Sequence, residues 1–293
     1  MNGTVDRTRT DDGLRQQEWH RQRAWTLRLV LLLIQGVLAA RNLGAQNPPI
    51  AVNPNRPTFA SPALTTQAGV AEVEWGVLRS ALRSETSAFS TPTLLKLGLA
   101  TDLELRISTN GFLRFGPAGA SSVTGFADVA LGAQWCYLHQ DFLGTDQTLQ
   151  VTHKFATADA EKGLGSGAAD DTVVLIFSRD VGASHVDVNV LYTWLGRTLA
   201  NGGGRIEQPA ATIAVSHVIN EGWSFGGEVY GIGGTPSTPR TVSNLWYAGY
   251  KVSPRLVLDG GIDIGLSKGA QRYSAFAGLT YGIRRSTCGT RSS

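Results

Sequence analysis

Eight charged side chains offer this chain's main opportunity for chemistry: Lys96, Glu104, Arg106, Asp128, Asp187, Glu228, Asp259 and Asp263. Each stands in a stretch where polar and apolar residues alternate, and each falls on the polar parity. In 103–107, Leu103, Leu105 and Ile107 oppose Glu104 and Arg106; in 255–266, Leu256, Leu258, Ile262 and Ile264 oppose Asp259 and Asp263. A strand sends successive side chains to opposite faces, so such a set shares one wall of a sheet. Charges of both signs on one wall can pair to brace it, select ions by sign, or hold the polar end of a solute. Bracing ion pairs are the plainest of these roles.

Other chemistries find less support. His153, His185 and His217 each lie in an alternating stretch, but no GxSxG elbow accompanies them, and a hydrolase would need a Ser, a His and an orienting carboxylate or amide. No two of these His stand at ligand spacing on one face, and neither a CxxC nor a Cys/His cluster occurs. No catalytic residue, metal site or cofactor is therefore expected. The run Lys162, Gly163, Leu164, Gly165, Ser166, Gly167 could suggest a phosphate cradle, yet it lacks the Walker Lys-Ser/Thr ending and no helix follows. An extracellular loop is the better reading of Lys162, Gly163, Gly165, Ser166 and Gly167. Cys136 shares the parity of Asp128 and Gln134 and is expected to point inward, whereas Cys288 lies in a polar tail; both are expected as free thiols.

The elements that must position these residues are strands. Twelve segments alternate with period two, beginning with 71–78, 94–100 and 103–107 and ending with 255–266 and 272–283, while helical spacing is nearly absent after residue 60. The connections between them alternate in length. Short ones such as Ala100-Thr101-Asp102 and Ser253-Pro254 interleave with long Gly/Ser/Thr/Pro-rich ones at 80–92, 109–124, 158–170, 197–208 and 232–240. An even number of strands with short turns at one end and long loops at the other describes an up-and-down antiparallel barrel. One parity carries Trp75, Trp135, Tyr192, Trp194, Trp246 and Tyr281, which are expected near strand ends as an aromatic girdle; the other is Gly, Ser, Thr, Asn and carboxylates. Side chains that small and polar cannot fill a dry interior. The fold is therefore expected to be all-β, a 12-stranded antiparallel up-and-down transmembrane β-barrel preceded by a signal peptide.

Residues 25–40 form the chain's long apolar run, after Arg21 and Arg23 and ahead of Gly44-Ala45. This pattern predicts a signal peptide with a long n-region over 1–45. A periplasmic N-terminal segment (46–67), the barrel (68–283) and a polar C-terminal tail (284–293) follow. The formal charge of +3 belongs to the ends: 1–45 hold seven Arg against four acids, 284–293 add three Arg, and 46–283 come to −3. With only 17% charged residues and 35 Gly, no nucleic-acid partner is expected.

One stretch, His153-Lys154-Phe155-Ala156-Thr157-Ala158-Asp159 followed by 162–167 and Asp170, resembles the hallmark loop of a bacterial outer-membrane family, the putative MetA-pathway phenol-degradation proteins. Arg56-Pro57-Thr58-Phe59, Gly125-Phe126-Ala127-Asp128, Glu228 after Trp223, Leu258-Asp259-Gly260-Gly261 and Phe276-Ala277-Gly278-Leu279-Thr280-Tyr281 also fit, so the resemblance runs from about residue 55 to 283. Two features depart from the family: its Pro-Thr-Gly-Asp reads Ala156-Thr157-Ala158-Asp159, and ten residues follow Ile283 where such barrels end on an aromatic. The resemblance implies a location in the bacterial outer membrane and passive passage of small hydrophobic or aromatic compounds. It also implies contact with outer-membrane lipid and with the barrel-assembly machinery. Two alternatives stand beside it, a structural or adhesive surface barrel without transport and a barrel-embedded hydrolase. An unobstructed polar lumen would favour transport and a plugged one the structural role; a hydrolase would need a Ser/His pair at the outer rim.

Overall fold

The structure, a computed structural model, describes residues 49–83, 86–117 and 121–284; the expected signal peptide, the tail beyond 284 and Cys288 lie outside the described residues. Among the described residues, the alternating segments become paired strands. β1 (Val70–Ala81) is followed by β2 (Thr86–Ser90), β3 (Thr93–Ala100), β4 (Leu103–Thr109), β5 (Phe112–Pro117), β6 (Val123–Phe126), β7 (Val129–Phe142) and β8 (Thr145–Phe155). Then come β9 (Asp170–Val181), β10 (Ser184–Gly196), β11 (Arg205–Val218), β12 (Trp223–Ile232), β13 (Thr241–Ser253), β14 (Leu256–Gly265) and β15 (Tyr273–Arg284). Every pairing is antiparallel, and β1 closes the ring on β15 in a continuous register from Val70↔Arg284 to Ala81↔Tyr273.

These fifteen segments make twelve spans. β2 and β3 both pair with β1 and form one span broken at Thr91-Pro92, where proline has no N–H to give the ladder. β4 with β5 and β6 with β7 are likewise single spans, broken at Asn110-Gly111 and Ala127-Asp128. The tight turns at 101–102, 143–144, 182–183, 219–222 and 254–255 lie at the end where β1 starts and β15 finishes. That end is called the turn end and the opposite one the loop end.

The strands run further toward the loop end than alternation predicts. β2, β5 and β6 occupy parts of the stretches 80–92 and 109–124 expected as loops, and β11 begins at Arg205 within the expected loop 197–208. Their Ser, Thr and Gly residues show no apolar period because at that height neither face has to meet hydrocarbon, while main-chain pairing still satisfies the backbone.

Leu131, Val151, Leu175, Val190, Ile213 and Ile262 face outward and are exposed, a band that only lipid could cover favourably. Aromatic pairs mark both rims, with Trp223 and Tyr250 4.8 Å apart at the turn end and Tyr192 and Trp194 5.0 Å apart at the loop end. Trp75 and Trp246 depart from the expected girdle and sit mid-strand. Trp246 lies over its cross-strand partner Gly227, where a Cβ would meet the indole at 2.8 Å, so it covers a backbone that lacks a side chain of its own.

Candidate functional site

The site is the lumen, and it begins with a segment that alternation does not predict. Residues 50–66, expected as a periplasmic lead-in outside the barrel, lie inside it. An extended segment with no strand partner carries unpaired backbone groups, and the inner wall supplies partners for them. The N–H groups of Asn55 and Arg56 donate to Glu74 (2.8 and 2.9 Å), and those of Phe59 and Ala60 to Glu228 (both 2.7 Å). Those of Ser61, Ala63 and Thr66 donate to Asn189, Ser178 and Glu104. In the other direction, Gln134 Nε2 donates to the Pro62 carbonyl (2.9 Å) and Thr148 Oγ1 to the Ala63 carbonyl (2.6 Å). The segment forms a floor across the turn-side part of the lumen.

Buried ion pairs lock this floor. Lys96 Nζ lies 2.9 Å from Glu72 and 2.8 Å from Glu74, all three almost fully buried, and it also donates to the Asn53 carbonyl. Arg106 pairs with Glu104 at 2.6 Å and donates to Gln134 Oε1 at 2.8 Å. Arg56 makes a two-point contact with Asp259, Nη2 to Oδ1 at 3.0 Å and Nε to Oδ2 at 3.1 Å. Its guanidinium rests in a slot between the paired glycines Gly76 and Gly278; a Cβ on either would come within 2.5 Å of it.

The eight charged candidates thus fall into separate neighbourhoods. Lys96, Glu104, Arg106, Glu228 and Asp259 surround the floor. Asp187 lies toward the turn end, with Ser178 Oγ at 2.5 Å and His185 Nε2 at 3.0 Å. Asp128 belongs to the loop end, where its Oδ1 accepts the N–H groups of Thr157 and Ala158. Its Oδ2 lies 3.2 Å from Lys154 Nζ, which also contacts Asp170 at 2.7 Å. Asp263 accepts on Oδ2 from Tyr230 Oη (2.6 Å) and Gln271 Nε2 (2.5 Å).

Alternation does not single out Glu72, Glu74, Arg56 and Tyr230. Glu72 and Glu74 share the polar parity of β1, a usable signal; Arg56 lies in a segment with no period. Cys136 is buried and free, its sulfur 3.7 Å from His139 Nδ1. A Ser/His contact exists, Ser184 Oγ to His217 Nδ1 at 2.9 Å, but at the turn end rather than the outer rim.

Between the floor and the loop end lies a cavity of about 890 Å³. Its apolar wall includes Leu78, Leu94, Leu113, Leu245 and Phe276, and Phe59 rises from the floor, stacked on Tyr230 with ring centres 5.0 Å apart. The loop 156–169 borders its mouth, and Leu164, nearly fully buried, turns inward against Gly125, where a Cβ would meet its Cδ1 at 2.4 Å. The glycines 163 and 167 have φ of +70° and +68°, which lets the loop fold back over the mouth. Gly165 packs on Asp128, and Ser166 Oγ accepts from Lys154 Nζ at 2.7 Å. Lys162 remains outside, paired with Asp159 at 2.8 Å. Its ammonium hydrogen bond holds the Asp159 carboxyl below the usual carboxylate range and raises Lys162 in turn.

A closed ring of antiparallel strands, an apolar outer band and a charged lumen define an outer-membrane β-barrel. Residues 54–283 match the family described as "Putative MetA-pathway of phenol degradation", and the chain belongs to that family. Among solved structures, an outer membrane channel from Pseudomonas putida F1 superposes with a TM-score of 0.58 at 13% identity, covering 79% of this chain and 100% of that one. The NanC porin gives a TM-score of 0.51 at 12% identity, covering 72% of this chain and 98% of the porin. At such identities the likeness is one of fold. No curated protein matches the chain in sequence.

Proposed function

We propose that the barrel gives small hydrophobic or aromatic compounds a passive path across the outer membrane, with no chemical step and no cofactor. The cavity carries this reading. At about 890 Å³ it falls within the roughly 300–1,000 Å³ of ordinary small-molecule sites, and it combines an apolar wall with a few fixed polar groups as such sites do. Lys96, Glu104, Arg106, Glu228 and Asp259 hold the floor, Asp128 with Lys154 holds the mouth, and the 162–167 loop restricts access from outside. The apolar band meets membrane lipid, and insertion depends on the barrel-assembly machinery. Movement along the axis requires residues 50–66 to shift.

The floor favours a second reading, a structural barrel in which nothing passes. Uptake of labelled p-cresol by cells whose intact outer membrane carries the protein separates the two. Under the transport reading uptake exceeds that of cells lacking the barrel. Tying the floor to the wall with Ser61→Cys and Asn189→Cys, whose parent residues share two hydrogen bonds, abolishes the excess until a reductant is added. Uptake equal to that of barrel-free cells would establish the structural reading.

A further inference from the structure

Several cations at the loop end are spent within the protein. Lys154 has Asp128 and Asp170, Arg205 has Asp171 at 2.7 Å, and Arg83 gives its guanidinium to the carbonyls of Gly265, Ser267 and Ala270. Arg79 on β1 and Arg114 on β5 differ. Both are exposed, and among the described residues neither has a carboxylate within ion-pair distance. Their neighbours Leu78 and Leu113 line the cavity, so the two arginines point the other way, onto the outer wall.

Strand register sets them in one row. Arg79 stands opposite Phe89 on β2, Phe89 opposite Arg114, and Arg114 opposite Thr124 on β6. Two strand spacings put the arginine backbones about 10 Å apart, close enough for both guanidiniums to converge on one phosphorylated headgroup. Arg114 Nε donates to Ser122 Oγ at 3.1 Å, a bond that orients the fork without using its two terminal nitrogens. The face changes character along the barrel axis at this row. Two residues toward the turn end it carries Val77 and the edge-on pair Phe112 and Phe126, ring centres 6.1 Å apart, with Phe126 72% exposed. Two residues toward the loop end it carries Ala81, Ser87 and Gly116. An arginine on the lipid-facing parity is costly at the bilayer midplane and nearly free at the interface, so the row marks where hydrocarbon ends and headgroups begin.

We infer that this face of β1, β2, β5 and β6 docks the phosphorylated glycolipid of the outer leaflet. Long loops lie on the extracellular side of such barrels, which puts the row at the headgroups of that leaflet. The planar forks of Arg79 and Arg114 hold phosphate oxygens in two-point contacts, and their charge, unmet within the described protein, is met by the lipid. Phe112 and Phe126 lie against the acyl chains below, and the hydroxyls of Ser87 and Thr124 border the sugar.

The test is native mass spectrometry of the full barrel released from nanodiscs of neutral phosphatidylcholine doped with bis-phosphorylated lipid A. Wild type should retain lipid A, and a phosphate-free lipid A should be retained no better than phosphatidylcholine. Arg79→Gln and Arg114→Gln should each weaken retention about fivefold and the double variant about thirtyfold, the usual contribution of an arginine at an anionic lipid surface. Arg179, exposed on the outer wall at the turn end, is the control: Arg179→Gln removes the same charge and should change retention less than twofold. Heat-modifiable migration on a gel reports folding; if the double variant does not fold, the two single variants carry the comparison. Undiminished retention in the folded Arg79 and Arg114 variants, an equal loss in Arg179→Gln, or equal retention of the phosphate-free lipid would overturn the inference. Retention of phosphatidylglycerol as strong as that of lipid A would overturn it in favour of a face for any anionic lipid. The transport reading stands or falls separately, since p-cresol uptake tests the cavity and these variants alter only the outer wall.

Discussion

The two parts of the lumen solve the same geometric problem in opposite ways. A ring of twelve spans is wider than its own side chains can fill. Toward the turn end the space is taken by residues 50–66, whose backbone is hydrogen-bonded to Glu74, Glu228, Asn189, Ser178 and Glu104, and whose Arg56 is clamped by Asp259. Toward the loop end no segment crosses among the described residues, Leu and Phe side chains form the wall, and about 890 Å³ stays unfilled. The charges of the first part form a fastening, and those of the second stand at its margins, Lys154 at the mouth and Asp263 on the wall. Chemical character in this lumen thus tracks height along the barrel axis rather than strand.

Substitutions can break that contrast. The largest effect is expected from Lys96→Met, which leaves Glu72 and Glu74 buried without their cation; removing one partner of such a cluster costs about 3–5 kcal/mol. Urea unfolding of the variant measures it, and a loss below about 1 kcal/mol would mean that backbone hydrogen bonds alone hold the floor. Gly278→Val comes next. It fills the Arg56 slot, should destabilise by about 1–3 kcal/mol as overpacking does, and should raise single-channel conductance as the floor loosens. An unchanged conductance would mean that Arg56 can leave its slot without moving the segment. Leu164→Ala should be mildest, about 1–2 kcal/mol, because one side of the leucine already faces the cavity. It should speed solute uptake with no change in conductance through the floor, which keeps the two parts separable.

Much of this architecture is written in alternation. β10 shows why: Val186, Val188 and Val190 face lipid while Asp187 and Asn189 face the lumen, so a single period names both surfaces. The same logic places Lys96, Glu104, Arg106, Glu228, Asp259 and Asp263 inside. What it cannot supply is their partners. Arg56 and Asp259 are 203 residues apart, and residues 50–66 have no period because their contacts run through backbone atoms, which are the same in every residue type. Gly76 and Gly278 read as small residues on the lumen parity, but the slot they form exists only once β1 and β15 meet. The strand extensions in β2, β5 and β6 are illegible for a related reason, since above the hydrocarbon band nothing obliges a strand to alternate.

The Arg56 clamp also has a meaning for assembly. Its slot is half β1 and half β15, and its counter-ion sits on β14 beside Gly278. That slot is complete only once the first strand has found the last, so the guanidinium sits between both glycines only in a ring that has shut. Arg56 therefore acts as a registration pin: it seats only when the ends of the sheet are matched residue for residue, and a barrel closed two residues out of step would leave a guanidinium with no place to go.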